Sequence, residues 1–187
     1  MEFVVTGGLA FIFLYIFDYN KIKFISRMFN LLFGAGVIII VCSTFSILLS
    51  DRSVFNSFNT LKMIYLISFA IAFALLIYSL FFALPFKKTY MSGKTKNSVI
   101  DTGFYALCRH PGVIWFFMMY LFLWLFSENI YMLYACVIWT VLDIIHVYIQ
   151  DKYFFEKSLS GYTAYKRATP FLIPNIKSIR RCFATLK

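Results

Sequence analysis

Apolar residues along this chain come in long runs broken by short polar punctuation, and they do not alternate with polar ones as in a half-buried strand. A helix needs roughly 20 mostly apolar residues to cross the hydrocarbon core of a bilayer. Five stretches approach that length, residues 3–17, 29–50, 61–86, 113–126 and 130–149. The first is short and bounded by Glu2 and Asp18; the fourth is also short. Only Ser127, Glu128 and Asn129 separate the fourth from the fifth, so these two are expected to form an antiparallel helical hairpin. The pattern predicts an all-α polytopic membrane protein with about five transmembrane helices and no internal repeat. The chain divides near Phe86. Residues 1–86 read as a three-helix transmembrane scaffold without a site-like cluster. Residues 87–187 hold a loop, the hairpin and a C-terminal segment, within one compact domain overall. The loop, 87–111, starts Lys-rich and has Ser92-Gly93 as a turn signal. Beyond the hairpin, 151–167 mixes aromatic and charged residues and reads as an interfacial helix with its aromatic face on the membrane, ended by Pro170 and Pro174.

Composition agrees with this pattern. Of 187 residues, 61% are hydrophobic, 21% aromatic and 14% charged, with a mean hydropathy of +0.79. A soluble domain is about 45–50% apolar and about 25% charged. The 24 Phe and 13 Tyr exceed what a soluble fold of this length buries. Disorder, a coiled coil and a secreted disulfide scaffold are excluded by the same figures. The net charge of +10 does not indicate a nucleic-acid partner, because the basic residues follow the loops. Lys21, Lys23 and Arg27 form one group, Arg52 and Lys62 a second, Lys87, Lys88, Lys94, Lys96 and Arg109 a third, and eight more follow Ile149. Five crossings put sixteen of these on one side against two on the other. The positive-inside rule then places the N-terminus outside and the C-terminus in the cytoplasm. Met1-Glu2 supplies no positive n-region of a signal peptide, so the first segment is expected to stay as a helix. Wording rich in Phe, Ile, Lys and Asn suggests an AT-rich genome and hence a bacterial plasma membrane.

The few polar residues inside or beside the spans carry the chemistry. Cys42, Cys108, Cys136 and Cys182 form no metal-type pair and read as structural thiols, and no metal is expected. Gly34-Ala35-Gly36 reads as a place of close helix packing. Asp143 lies inside the fifth segment, where a carboxylate costs about 2.5–3.5 kcal/mol on insertion scales. Trp139, His146 and Gln150 stand at i−4, i+3 and i+7 from it, on one helix face. That face is either a polar stripe bonded to a neighbouring helix or the wall of a ligand cavity. Arg109-His110-Pro111 stands at the start of the fourth helix, where Pro suits the first turn. The hairpin brings Arg109 and His110 beside Gln150, Asp151 and His146, giving a cation, imidazoles, an acid and several aromatics at headgroup level.

Two blocks carry a resemblance. Gly103-Phe104-Tyr105 followed by Arg109-His110-Pro111 is similar to the Gly-x-Tyr-x-x-x-Arg-His-Pro pattern of the integral membrane methyltransferases. That family includes isoprenylcysteine carboxyl methyltransferase and the phospholipid methyltransferases. Its second signature is an acid pair, two tyrosines three apart and two prolines, and Gln150-Asp151, Tyr162, Tyr165, Pro170 and Pro174 fall at that spacing. The resemblance covers about residues 75–176. It departs at Val113, where the family has Tyr, at Gln150, where it has an acid, and at Leu159, where it has Gly. It implies an enzyme that takes S-adenosylmethionine from the cytosol and a membrane lipid or hydrophobic small molecule from the bilayer. Carried over by position, His110, Pro111, Gln150, Asp151 and Tyr162 would contact the cofactor, and Arg109 would act near the reacting end of the substrate.

Methyl transfer from a sulfonium depends mainly on alignment. Tyr105, Trp115, Tyr162 and Tyr165 are candidates to hold the sulfonium by cation–π attraction. A carboxylate acceptor needs Arg109 as a steering cation, whereas an amine or thiol needs a base such as His110 or His146. The residues expected to be essential are Arg109, His110 and Asp151, with Asp143 and Trp139 on the substrate wall. Two alternatives stand beside this reading. One is an NAD(P)H-dependent membrane reductase of the sterol-reductase type, which shares a related Arg-His-Pro-like block. The other is a non-catalytic relative.

Overall fold

The computed structural model describes residues 1–23, 26–51, 59–82 and 97–186. Helix α1 (Glu2–Lys23) is followed by a 3-10 turn at Arg27–Asn30 and α2 (Leu31–Leu49). Helix α3 (Thr60–Ile77) ends in a π turn, Tyr78–Phe82. Then come β1 (Asn97–Ser98), α4 (Phe104–Leu107), α5 (Pro111–Ser127) and α6 (Ile130–Ile149). A second π turn, Gln150–Phe154, carries α6 into α7 (Phe155–Ser158). The tail adds β2 (Leu159–Ser160), α8 (Tyr162–Ala168) and α9 (Ile176–Thr185).

Among the described residues the protein is helical but for two short paired strands, an all-α polytopic membrane protein. Four stretches are long and apolar enough to cross a membrane: Glu2–Lys21, Arg27–Leu49, Thr60–Phe82 and Ile130–Ser158; α5 is a shorter apolar helix. These five helices alternate in direction. At one end Asn129 Nδ2 donates to the Ile47 carbonyl (3.2 Å) and Lys62 pairs with Glu128 (3.6 Å), joining the ends of α2 and α5 to the starts of α3 and α6. At the other, His146 and Gln150 reach Asp18 near the end of α1. The α5–α6 link is the tight hairpin that the sequence predicts. It is capped by Asn129, whose side chain accepts from Tyr131 N, and turned by Glu128 at φ 55°. Among the described Lys and Arg, Lys62 alone lies at the Glu128 end.

Helix α1 packs on α2 and α6, and α6 packs on α5, which packs on α3. Small residues set the close approaches. A Cβ on Gly36 would stand 3.1 Å from Leu14 and 3.2 Å from the Ala10 carbonyl oxygen, so α1 and α2 touch there as expected for packing. A Cβ on Gly7 would lie 2.1 Å from the Trp139 ring; the fully buried indole occupies that notch and donates from Nε1 to the Val4 carbonyl (2.8 Å). Tyr120 meets the same ring edge to face and shares a hydrogen bond with Thr44 (2.8 Å), tying α5 to α2.

The tail departs from the expected interfacial helix over 151–167. The chain breaks at Leu159-Ser160, which pair in parallel with Asn97-Ser98, and Gly161 turns it at φ 80°. Phe154, Tyr162 and Tyr165 are consequently buried in the protein and do not form a membrane-facing stripe. Helix α9 was not foreseen; its start carries a capping box between Asn175 and Ser178. The expected turn at Ser92-Gly93 and the basic residues Arg52, Lys87, Lys88, Lys94 and Lys96 lie outside the described residues.

Candidate functional site

The site begins with the way α5 starts. Pro111 occupies the first helical position, its fixed φ suiting a residue whose N–H has no helical partner. His110 is the N-cap, at φ −128° and ψ 63°. The Arg109 N–H donates to the Pro170 carbonyl (2.9 Å), which pins the block to the tail. The preceding helix α4 is held at both ends of Tyr105: its hydroxyl donates to the Ser79 carbonyl (3.0 Å), and its own carbonyl accepts from the Tyr165 hydroxyl (2.8 Å).

The π turn then performs a separation. It widens the helix by one residue per turn, and the consecutive side chains Gln150 and Asp151 go to different helices. Gln150 Nε2 donates to Asp18 Oδ2 on α1 (2.6 Å). Asp151 accepts from Arg109 Nη1 with both oxygens (2.6 and 2.7 Å) and from the Tyr162 hydroxyl. His110 Nε2 stands 3.4 Å from its Oδ1, and Lys166 Nζ 3.4 Å from Oδ2. One carboxylate, 4% exposed, thus gathers Arg109 and His110 from the start of α5 and Tyr162 and Lys166 from α8.

Around this network lie aromatic rings. His110 stacks near Phe155 (6.0 Å) and meets Phe171 edge-on (4.9 Å); Phe155 in turn touches Tyr162 (5.5 Å). Burial pushes the His110 imidazole below its ordinary pKa against the opposing pull of Asp151, so it is neutral at neutral pH. Burial pushes the hydroxyls of Tyr162 and Tyr165 up, with the Asp151 carboxylate adding to the effect on Tyr162, so both remain donors. Burial also raises the Cys108 thiol to about 11, leaving it an inert thiol as expected.

A cavity of about 1060 Å³ opens beside the network. Its polar end carries Arg109, His110, Pro111, Tyr105, Tyr162 and Tyr165, and its α6 wall carries Asp143, His146 and Gln150. Its apolar part lies between Phe33, Val37 and Val41 of α2 and Phe73, Leu76 and Ile77 of α3, so two consecutive helices face each other across open space. Nine of the twelve residues singled out in the sequence line this one cavity. Three do not. Trp115 packs its ring against Phe104 (5.5 Å) and is not on the wall. Asp151, expected to contact a cofactor, is not on the wall, and its oxygens are engaged by Arg109, Tyr162 and Lys166. Trp139 fills the Gly7 notch, so this member of the helix face is a core residue and forms no part of a substrate wall.

Asp18 was missed. Its Oδ2 accepts from both Gln150 and His146 Nε2 (2.7 Å), and it lines the cavity with Phe11 and Leu14. Spacing of i, i+3 and i+7 from Phe11 puts Leu14 and Asp18 on one helix face, which is the signal that could have found it. The cavity therefore draws on both halves of the chain, and the scaffold half contributes a carboxylate. No protein-family model, curated protein or solved structure matches the chain.

Proposed function

We propose that this protein is an S-adenosylmethionine-dependent methyltransferase acting on a lipophilic acceptor at the membrane surface. The observation that carries the reading is the closure of two distant sequence blocks on one carboxylate: Arg109 and His110 from the first, Tyr162 from the second, all on Asp151 beside a cavity with one polar and one apolar end. When bound, the cofactor supplies an electrophilic methyl group, whose bond to sulfur breaks with the electron pair staying on sulfur as the acceptor's lone pair forms the new bond.

The donor set fits such a group. Arg109 Nε is buried without a hydrogen-bonding partner among the described residues, at the wall where a ligand oxygen or nitrogen could accept from it. The rings of Tyr105, Tyr162 and Phe155 line the same end and suit a sulfonium by cation–π attraction. Asp151 acts as a positioning residue: it fixes the guanidinium, the imidazole and the phenol in one geometry, which is what a displacement reaction needs from its protein. The apolar walls of α2 and α3 suit the acceptor's hydrocarbon part, reached from the bilayer between them. The excess of basic residues at the Arg109 end supports a cytoplasmic position for it by the positive-inside rule.

The test is a ligand titration of the full chain in detergent, followed by thermal unfolding. S-adenosylmethionine and S-adenosylhomocysteine should each raise the midpoint, and NADPH should not. Stabilisation by NADPH alone would overturn the proposal in favour of a reductase. Arg109→Ala should abolish the stabilisation by S-adenosylmethionine.

A further inference from the structure

The polar groups of the cavity fall into two sets with opposite balance. At the Arg109 end the cation is already neutralised: both oxygens of Asp151 receive its Nη1. On the α1–α6 wall the balance is acidic. Asp18 is occupied by His146 and Gln150. Asp143, one turn deeper along α6, lines the cavity, and its carboxylate has no hydrogen-bonding partner among the described residues. The neighbouring walls at that depth are Leu14, Ile40, Leu76 and Phe116. A carboxylate so placed in a membrane span calls for a cation or a donor from the ligand.

Resting on the methyltransferase reading, we infer that Asp143, with the Asp18–His146 pair above it, forms the acceptor subsite and takes a lipophilic amine. An acceptor carboxylate would meet two acids there, with Arg109 already committed to Asp151. A thiol brings neither charge nor strong donors. An ammonium supplies both, and its hydrocarbon chain extends between α2 and α3. Lys21, Arg27 and Lys157 also line the cavity: Lys157 lies seven residues past Gln150, and Lys21, three past Asp18, is charge-coupled to that carboxylate, which leaves Asp143 as the unbalanced acid of the wall. In the reaction the ammonium passes one proton to the Asp143 carboxylate. The freed lone pair bonds the methyl carbon as the carbon–sulfur bond breaks, and the product is the methylammonium and the neutral thioether.

The experiment compares dodecylamine, dodecanoate and dodecanol as ligands of the full chain in nanodiscs, by thermal shift and calorimetric titration. Matched chain lengths hold the hydrocarbon contribution constant, and each affinity is referred to the concentration of that ligand measured in protein-free nanodiscs. Dodecylamine should bind at least about tenfold more tightly than the other two, and Asp143→Asn should erase that preference while Asp143→Glu keeps it. Equal binding of the three ligands, or an undiminished preference in Asp143→Asn, overturns the subsite. If Asp143→Asn fails to fold, Asp18→Asn serves, with a weakened amine preference expected and an unchanged one overturning the inference. Amine binding without methyl transfer from S-adenosylmethionine would sink the methyltransferase reading and leave the subsite standing. Methylation of dodecanoate would do the reverse.

Discussion

Among the described residues, Asp151 is surrounded by donors and Asp143 has none, although only eight residues of one continuous helical stretch separate them. The contrast predicts different responses to the same change. Asp151→Asn leaves Arg109 buried and unpaired, and should lower stability by about 3–5 kcal/mol in denaturant unfolding. Tyr162→Phe removes one bond to the carboxylate and should lower it by about 1.5–3 kcal/mol. Acid should act through His110. Because burial holds its pKa below the ordinary 6.5, the unfolded chain takes up that proton first as pH falls. The contribution is fully present above about 6.5 and is lost as pH drops toward the folded value. Wild-type protein should therefore lose more stability than His110→Gln between about pH 7.5 and 5.5, as read from unfolding midpoints. The meeting of Arg109 and Asp151 was legible in the sequence because a three-residue link forces the ends of two helices together. Asp18 was not, because a charge at the end of an apolar run reads as a boundary, and its partners lie 128 and 132 residues away.

Elements were legible where a single apolar run decides them. The last span, 130–149, matches α6 from Ile130 to Ile149, and the packing role of Gly36 follows from its missing side chain. The tail was not legible, since nothing local announces that Leu159 and Ser160 will pair with residues 62 positions earlier. That pairing aims Tyr162 inward, and Gly161 makes it possible. Gly161→Ala places an L side chain at φ 80° and should cost about 1–2 kcal/mol in stability, with a loss of S-adenosylmethionine binding that exceeds it because Tyr162 turns away. Gly7→Ala drives a methyl into the Trp139 ring and should cost about 1–3 kcal/mol. Combined with Trp139→Leu, which empties the notch, the cost of Gly7→Ala should shrink, a coupling that a double-mutant cycle reads directly.

For the whole molecule, alternating helices put Asp51 at one end and Lys166 at the other. Single cysteines at these two positions in a Cys-free background should react with a membrane-impermeant maleimide from opposite sides of sealed vesicles. Reaction from the same side would remove one crossing. The shortest of the five helices also has a place in this arrangement. At 1.5 Å per residue, the 17 residues of α5 rise about 26 Å and the 20 of α6 about 30 Å. Their three-residue link holds them level at the Glu128 end, so the shortfall of about 4 Å falls wholly at the Arg109 end. No α5 residue is exposed, although ten of the seventeen are only half-buried, so its neighbours cover this helix in part. Its blunt end is recessed below the last turns of its neighbour, and Arg109 and His110 stand at the floor of that recess, where the cavity lies.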